Sequence, residues 1–136
     1  MRFWRKSSAA LLASVALVAG GTVATATPAS AAIGGCAQGN LCLYAGTQFN
    51  VPKLTTGKTY ECFQLAHYQL DGPYHIYSYV NNSPVKADLY AGTSTLDVFS
   101  YVGTIGSGKF SSNTQQNFNE VDVVCTGGRE AYWSQA

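Results

Sequence analysis

The pentapeptide LYAGT at residues 43–47 returns at residues 89–93, 46 positions later in a chain of 136 residues. Each copy ends an apolar stretch and carries a glycine that is expected to turn the chain. The pentapeptide has no charged side chain, and threonine is its only nucleophile, so it is a poor candidate for a catalytic or metal-binding element. We interpret it as the mark of a duplicated structural unit. The matching positions are Tyr44 and Tyr90 for packing, and Gly46 and Gly92 for turning.

Around both copies, apolar and polar residues alternate with the period of two that is typical of β-strands. The predicted strands are HIYSYV (75–80), VKADLY (85–90), TLDVFSYV (95–102), EVDVVC (120–125) and the shorter LCLY (41–44) and TYECFQL (59–65). No segment beyond residue 31 shows the apolar spacing of a helix. Short strands separated by glycine-containing turns predict an all-β fold, an antiparallel sandwich or barrel. The duplication predicts two Greek-key halves of about 36–76 and 77–125.

A turn signal at residues 81–84 separates two of these strands, so we predict a β-hairpin over residues 76–90. Alternation places Tyr77 and Tyr79 on one face of its first strand. That face is either an aromatic platform for sugar or peptide or a part of the core, and we favour the core. Four other sets are predicted to share a face: Ile76, Ser78 and Val80; Val85, Ala87 and Leu89; Leu96, Val98, Ser100 and Val102; and Val121, Val123 and Cys125.

Residues 1–31 have the features of a secretory signal peptide. A basic start is followed by an apolar run at 9–19 and by the cleavage-site pattern Ala-Ser-Ala at 29–31. The apolar run is shorter than the ~20 residues that a membrane-spanning helix needs. We therefore expect a secreted, extracellular protein whose mature chain begins near Ala32.

The predicted mature part has 105 residues, the length of one domain. We place a β-sandwich domain at 32–126 and a frayed C-terminal tail at 127–136, whose Tyr132 and Trp133 are able to fold back. Five basic and seven acidic residues give this part a net charge of −2, and the basic ones are scattered. Because nucleic acids and anionic membrane surfaces attract clustered Lys and Arg, we expect neither as a partner. We expect a monomer.

Four cysteines, all after residue 31, predict two disulfides in a small secreted chain. Three pairings are possible. We favour Cys36–Cys42, since Gly39 and Asn40 between them can turn tightly, and this leaves Cys62–Cys125 to close a loop of more than sixty residues. A metal site of four thiolates is the alternative, but the chain lacks C-x-x-C spacing and is expected in an oxidising compartment.

Several segments follow one another in a recognisable order: a cysteine pair around a glycine, a strand ending in two asparagines, a second LY strand, and an Asn-acidic segment before the last cysteine. They are CAQGNLCLYAGTQF (36–49), YSYVNN (77–82), VKADLYAGT (85–93) and NFNEVDVVC (117–125). In this order the chain resembles small secreted bacterial peptidase inhibitors of the metalloproteinase-inhibitor type, which have a βγ-crystallin-like fold. The resemblance implies a two-Greek-key sandwich, an extracellular peptidase as the partner, and an exposed reactive loop held by a short disulfide.

The match to the crystallin-type motif is partial. Val51 in the first copy and Asp97 in the second stand where the motif requires glycine. The calcium-binding version of the motif survives only in fragments, so we expect no metal and no cofactor. The residues in these fragments are Asp71, Ser78, Asn119 and Glu120. Since the second predicted disulfide is long-range, the reactive loop stays unassigned.

No motif indicates an enzyme, and we name no catalytic residue. GTIGSGK (103–109) has phosphate-loop spacing, but Phe110 replaces the magnesium-binding Ser or Thr and no helix follows, so a flexible hairpin loop is favoured. His67 and His75 lack the spacing of a zinc peptidase and are expected on the surface. Residues 81–83 match the glycosylation triplet, but a proline follows directly and modification is not expected.

The expected function is therefore that of a secreted, peptidase inhibitor-like binding protein. The alternative is a βγ-crystallin-like structural or antimicrobial, cell-wall-binding module without inhibitor activity.

Overall fold

The computed structural model describes residues 32–70, 75–93 and 98–132, and the predicted signal peptide lies outside this part. The regular structure of these residues is β, with two short 3-10 turns at Ile33–Gly35 and Leu65–Tyr68. No helix within the described ranges is long and apolar enough to cross a membrane. The predicted all-β fold is confirmed. The strands are β1 (Leu41–Tyr44), β2 (Pro52–Thr56), β3 (Cys62–Gln64), β4 (Ser78–Asn81), β5 (Ala87–Thr93), β6 (Val98–Ile105), β7 (Phe110–Ser111) and β8 (Val123–Thr126).

These strands form two antiparallel sheets of four strands each. Sheet 1 has the order β2-β1-β4-β7, and sheet 2 has the order β3-β8-β5-β6. In each half of the chain, the fourth strand lies beside the first. The third strand of each half, however, joins the sheet of the other half. This exchange of β3 and β7 ties the two sheets into one domain.

Both copies of LYAGT begin in an inner strand, β1 in sheet 1 and β5 in sheet 2. Leu43 and Leu89 are fully buried between the sheets. The pairing of each strand with the next one along the chain shifts register directly after this leucine, before Tyr44 in one copy and before Tyr90 in the other. The repeated sequence therefore carries a repeated irregularity of the β-ladder, a β-bulge at the equivalent position.

The duplication extends to backbone hydrogen bonds outside the ladders. Three bonds of the first half have an equivalent in the second, with donor–acceptor distances that agree within 0.1 Å. In the first pair, Tyr77 N donates to Tyr44 O (2.9 Å) and Asp122 N donates to Tyr90 O (2.8 Å). In the second pair, Asn82 N donates to Asn40 O (2.8 Å) and Gly127 N donates to Lys86 O (2.9 Å). In the third pair, Asn81 N donates to Lys109 O and Thr126 N donates to Glu61 O, both at 2.8 Å. The two halves are therefore structurally equivalent, as the LYAGT repeat predicts. The predicted boundary between residues 76 and 77 is wrong, because β4 belongs to the first half and the halves meet near residues 82–86.

The two glycines of the repeat are not matching corners. Gly46 lies in the bend after β1, whereas Gly92 lies inside β5 and pairs with Phe99 of β6. A Cβ atom at position 92 would come within 2.7 Å of the Phe99 ring. Position 92 therefore requires glycine because the Phe99 ring lies against the strand there, and not because the chain turns.

The predicted hairpin over residues 76–90 is wrong, because β4 belongs to sheet 1 and β5 to sheet 2. The side chain of Asn81, which is fully buried, redirects the chain at the end of β4. Its amide nitrogen donates to Val85 O at 2.9 Å, and its oxygen accepts from the backbone N–H of Ser83 at 3.1 Å. The turn signal is real, but this side chain makes it a crossover between sheets.

The core has three parts. A central cluster between the sheets contains Leu41, Leu43, Leu54, Phe63, Leu65, Leu70, Ile76, Ala87, Leu89, Ile105, Val121 and Val124. A smaller cluster on the outer face of sheet 1 contains Cys36, Cys42, Tyr44 and Val80, with Phe49 packed against it. Its counterpart on the outer face of sheet 2 contains Val123, Cys125 and Ala131, with Cys62, Tyr90 and Phe99 packed against it. Each sheet is thus covered on its outer side by a disulfide and aromatic rings.

The core interpretation of the aromatic face is confirmed for Tyr79, which packs on the central cluster with its ring centroid 5.9 Å from that of Phe118. Burial raises the pKa of its hydroxyl. Ile76 and Val80 were expected on one face but lie in different clusters. Val121 is likewise separated from Val123 and Cys125. The predicted alternation fails for Ile76 and Val121 because β4 begins only at Ser78 and β8 only at Val123.

The favoured disulfide pairing is confirmed. Cys36 is bonded to Cys42, and Cys62 to Cys125, with which it is in direct register across β3 and β8. No cysteine is left free. Two such bonds fit a non-reducing environment.

The expectation of a frayed tail is wrong for residues 127–132. Ala131 is buried in the outer cluster of sheet 2. Gly127 and Arg129 make backbone hydrogen bonds to Lys86 O and Thr126 O. Trp133 and the last three residues lie outside the described part.

Candidate functional site

The connection between β2 and β3, residues 57–61, crosses from sheet 1 to sheet 2 over the surface of the domain. Residues 57–60 are exposed, and none of the five belongs to a strand or helix. Within this segment Tyr60 is 65% exposed, the largest exposure among the bulky apolar and aromatic residues that the structure describes. We call this segment the 57–61 loop.

The two ends of the 57–61 loop are fixed. At the first end, the backbone N–H of Lys58 donates to the Thr56 hydroxyl at 3.1 Å. At the second, Glu61 N donates to the Thr126 hydroxyl at 3.0 Å, and Glu61 O accepts from Thr126 N at 2.8 Å. The next residue, Cys62, is held by its disulfide to Cys125. The loop therefore leaves and enters the sheets through hydrogen-bonded residues.

The middle of the loop rests on the turn that follows β8. Gly127 has φ of +68°, and a Cβ atom there would lie 1.9 Å from Thr59 O, so only glycine allows this approach. The Arg129 guanidinium donates to Tyr60 O at 3.2 Å and lies over the Tyr60 ring at 5.5 Å from its centroid. This cation–π contact fixes one face of an exposed ring.

Beside the loop is a shallow depression of about 400 Å³, which we call the tyrosine depression. It is lined by Tyr60, Gly128, Arg129, Glu130 and Tyr132. The Tyr132 hydroxyl donates to the Glu130 carboxylate, and this hydrogen bond raises the pKa of Tyr132. One cation and one anion line the depression, so its formal charge is balanced. A surface with two exposed aromatic rings and charged hydrogen-bonding groups can contact a ligand that is partly apolar and partly polar.

Further along the outer face of sheet 2, Lys86 and Asp88 form an ion pair with an N–O distance of 2.7 Å. Asp88 is buried and also accepts a hydrogen bond from the Thr104 hydroxyl, which is 2.7 Å from the hydroxyl of Tyr101. The hydrogen bond to Asp88 raises the pKa of Lys86, and burial raises that of Tyr90. Because Asp88 has partners on both oxygens, these residues form a saturated structural network.

The predicted surface positions of the histidines are partly confirmed. His67 lies in the 3-10 turn Leu65–Tyr68 and is exposed. His75 is half-buried, with its ring edge-on to that of Tyr77 at 6.0 Å. Within residues 32–70, 75–93 and 98–132, no group of three or more His, Cys, Asp and Glu is placed to hold a metal ion.

The calcium-motif fragments are not assembled by the described residues. The buried Ser78 hydroxyl donates to Gly46 O at 2.6 Å and accepts from Phe49 N at 3.1 Å. Asn119 and Glu120 lie in the turns before β8, and Asp71 is outside the described residues. The Ser78 hydroxyl therefore makes hydrogen bonds within the domain.

The glycine-rich segment 103–109 is not a flexible hairpin loop, because it joins β6 of sheet 2 to β7 of sheet 1. Its backbone is bonded to the end of β4: the Asn81 amide donates to Ile105 O at 3.1 Å and to Gly106 O at 3.2 Å. The Ser107 hydroxyl donates to Ser83 O at 2.6 Å. Burial of Asn81 also removes the first residue of the glycosylation triplet from solvent.

Sequence reasoning assigned no residue to a binding loop and treated the chain after Cys125 as a tail. Gly127 and Arg129 lie in that part and support the 57–61 loop across 68 to 69 positions of sequence. The available signal was the Gly-Gly pair at 127–128, which is separated from Cys125 only by Thr126 and marks a special backbone conformation.

Comparison of the chain with protein-family models, with curated proteins and with solved structures finds no match.

Proposed function

We propose that this protein is a secreted, inhibitor-like binding protein that presents the 57–61 loop to an extracellular peptidase. The observation that carries the proposal is an exposed loop whose ends are both anchored, by Thr56 on one side and by Thr126 and Cys62 on the other. A loop of this kind loses little conformational entropy on binding. If it is cut, the disulfide and the sheets still hold both sides in place.

The resemblance to metalloproteinase-inhibitor-type proteins agrees with this role. The proposed βγ-crystallin-like relationship is supported by the duplicated halves and by the return of each fourth strand beside the first. In that family the reactive loop is held by a short disulfide, whereas the 57–61 loop ends at the long-range bond Cys62–Cys125. Direct pairing of β3 with β8 gives this bond the same anchoring effect.

Inhibition is tested by titrating the purified protein against secreted metallo-, serine and cysteine peptidases. We expect loss of activity of at least one class at micromolar inhibitor, and about tenfold or more weaker inhibition by Tyr60→Ala, since a large anchored ring is a typical binding hot spot. Lys58→Ala tests a second long and exposed side chain of the loop.

The matched control is Tyr101→Ala, which removes a tyrosine of similar exposure (63%) from β6. Unchanged inhibition by this variant is expected. The proposal fails if no peptidase is inhibited, or if the two tyrosine variants lose inhibition equally.

A second candidate function, binding of a glycan as in a cell-wall-binding module, is favoured by the tyrosine depression. Sugar rings present apolar faces that stack on aromatic side chains and hydroxyl edges that bond to charged groups. Tyr132 is 53% exposed and lies beside Arg129 and Glu130. Since the charges of the depression balance, a neutral polysaccharide is the expected ligand.

Retention of the protein by insoluble chitin, cellulose and peptidoglycan tests this candidate. Tyr132→Ala is expected to weaken retention by roughly three- to tenfold, the effect of losing one aromatic stacking contact. Lys58→Ala, which lies outside the depression, should retain full binding. Retention that is absent for all three glycans, or unaltered by Tyr132→Ala, would exclude the tyrosine depression as a glycan site.

A further inference from the structure

The basic side chains of the domain differ in whether they already have a partner. Among the five basic residues after residue 31, three contact another side chain: Lys53, Lys86 and Arg129. The other two, Lys58 and Lys109, are exposed, and their side chains make no ion pair or hydrogen bond with the residues that the structure describes. Lys58 lies in the 57–61 loop, and Lys109 directly precedes β7. Both lysines are therefore accessible to an anionic group of a partner.

The backbone carbonyl groups distinguish the two lysines. Lys109 O accepts a hydrogen bond from Asn81 N at 2.8 Å, so it belongs to the contacts between β4 and β7. Within the described ranges, no donor bonds to Lys58 O. A peptidase that attacks a peptide bond must bind the carbonyl oxygen, which becomes an oxyanion in the reaction. Lys58 offers a peptidase both its side chain and its carbonyl group, whereas Lys109 offers only its side chain.

The two carbonyl groups that follow Lys58 face the domain. Thr59 O lies so close to Gly127 that a Cβ atom there would be 1.9 Å from it. Tyr60 O accepts a hydrogen bond from the Arg129 guanidinium at 3.2 Å. An oxyanion-binding group of a peptidase reaches these oxygens only by displacing a contact within the domain. Among the three successive bonds after Lys58, Thr59 and Tyr60, the first is therefore the one that is open to attack.

Both residues of the Lys58–Thr59 bond are held in place. Lys58 N donates to the hydroxyl of Thr56 at 3.1 Å, and Thr56 is a buried residue of β2. On the other side, Thr59 rests on Gly127, whose N–H donates to Lys86 O at 2.9 Å. The bond is thus presented in a fixed position, and fixing a loop before binding lowers the entropy cost of association.

We propose that the Lys58 side chain enters the specificity pocket of the target, and that the target is a serine peptidase with an acidic pocket, which cleaves after lysine. This inference rests on the proposed inhibitory function and names the class of its partner. A carboxylate at the base of such a pocket binds an ammonium group, as in trypsin, whereas the apolar pocket of chymotrypsin takes an aromatic ring. The exposed ring of Tyr60 contacts the peptidase two positions beyond Lys58.

The anchoring favours inhibition over digestion. The serine hydroxyl of the peptidase adds to the Lys58 carbonyl carbon, the bond to Thr59 N breaks, and this nitrogen leaves as an amine that carries the hydroxyl proton. Because Thr59 stays packed on Gly127, the amine remains beside the new ester. It attacks the ester carbon, re-forms the peptide bond and returns the proton to the serine.

Titration of the protein against trypsin and against chymotrypsin tests the proposal, and we expect inhibition of trypsin. Lys58→Ala should weaken this inhibition about a hundredfold or more, because it leaves the buried carboxylate of the pocket without a partner. Lys58→Arg keeps the charge and should preserve inhibition. Lys109→Ala, the matched control, removes the other exposed lysine and should leave inhibition unaltered.

A change of specificity gives a measurement that a merely structural role of Lys58 would not move. Lys58→Phe should lose the inhibition of trypsin and gain inhibition of chymotrypsin, since an apolar pocket accepts an aromatic ring.

The position of cleavage is a third measurement. Prolonged incubation with a catalytic amount of trypsin should create a new amino terminus at Thr59, which sequencing of the products identifies.

Inhibition that is confined to peptidases without an acidic pocket would overturn the proposal and leave the inhibitory function standing. The same holds if Lys58→Ala inhibits trypsin as well as the unaltered protein does, if Lys58→Phe does not move inhibition to chymotrypsin, or if no new terminus forms at Thr59. If no peptidase of any class is inhibited, the inhibitory function fails together with the role of Lys58.

Discussion

Replacing Asn81 by Ala is expected to lower the free energy of unfolding by about 3–5 kcal/mol, because several buried polar groups lose a partner and each such loss costs about 1–3 kcal/mol. The Asn81 amide donates to Val85 O, Ile105 O and Gly106 O. Its oxygen accepts from the backbone and the hydroxyl of Ser83. Alanine removes the Asn81 partner from each of these groups, and Val85 O keeps only its bond from the Ser83 hydroxyl. A polar group without a partner is most costly where water is excluded.

The large effect follows from where Asn81 stands in the topology. It joins the β4–β5 crossover, through Val85, to the β6–β7 crossover, through Gly106. These two connections carry the chain between the sheets in opposite directions. Loss of the Asn81 side chain therefore loosens both connections together. We expect the unfolding transition of the variant to become broader and to move to lower denaturant concentration.

Asn82→Ala is the matched control, because the neighbouring asparagine is half-buried and its amide makes one bond, to Cys36 O at 2.7 Å. It should cost about 1 kcal/mol, the usual value of a single partly exposed hydrogen bond. Chemical denaturation followed by circular dichroism measures both variants. Equal destabilisation of the two would show that Asn81 is not the central member of this network.

Removing the Cys62–Cys125 disulfide is expected to cost roughly 4 kcal/mol, and removing Cys36–Cys42 roughly 2 kcal/mol, from the loop-closure entropy of the unfolded chain. The sequence separations are 63 and 6 residues, respectively. In both cases the sulfur atoms also pack in an outer cluster, so cavity formation adds to both values.

The two double-alanine variants serve as controls for each other, since each removes two sulfur atoms from one outer cluster. Their unfolding in denaturant under non-reducing conditions gives the difference directly. If the short bond proves to be the more stabilising of the two, loop closure does not govern the contribution of these disulfides.

The long-range bond also has a functional consequence under the proposed role. Cys62 is the residue that follows the 57–61 loop, so its bond holds one end of that loop. We expect the double-alanine variant at Cys62 and Cys125 to lose inhibition under conditions in which it is still folded. Loss of the Cys36–Cys42 bond, which belongs to the outer cluster of sheet 1, should leave inhibition intact.

Short-range sequence patterns predicted the positions of the strands better than they predicted which strands pair. VKADLY alternates clearly enough to identify β5, and the short apolar run LCLY identified β1. The four cysteines with a Gly-Asn turn were enough to favour the observed pairing. The same patterns did not show that β4 and β5 lie in different sheets. A turn signal of Asn, Ser and Pro is equally compatible with a hairpin and with a crossover, because both reverse the chain within a few residues.

The 57–61 loop was missed for a related reason. Nothing within Gly-Lys-Thr-Tyr-Glu distinguishes an anchored loop from an ordinary one. The groups that anchor it, Thr126, Gly127 and Arg129, are more than sixty positions away in the chain. Contacts of such separation leave no periodic signal in a single sequence.

The sequence by itself determined the all-β class, the two disulfides and the duplication that LYAGT marks, because each depends on residue type and short-range spacing. Only the tertiary structure decided that the halves exchange their third strands, that Asn81 turns the chain into a crossover, and that the chain after Cys125 supports a surface loop. These features depend on which buried polar groups find partners across the two sheets. That choice is made by the packed domain as a whole, since a buried donor or acceptor must be paired wherever its partner lies in the sequence.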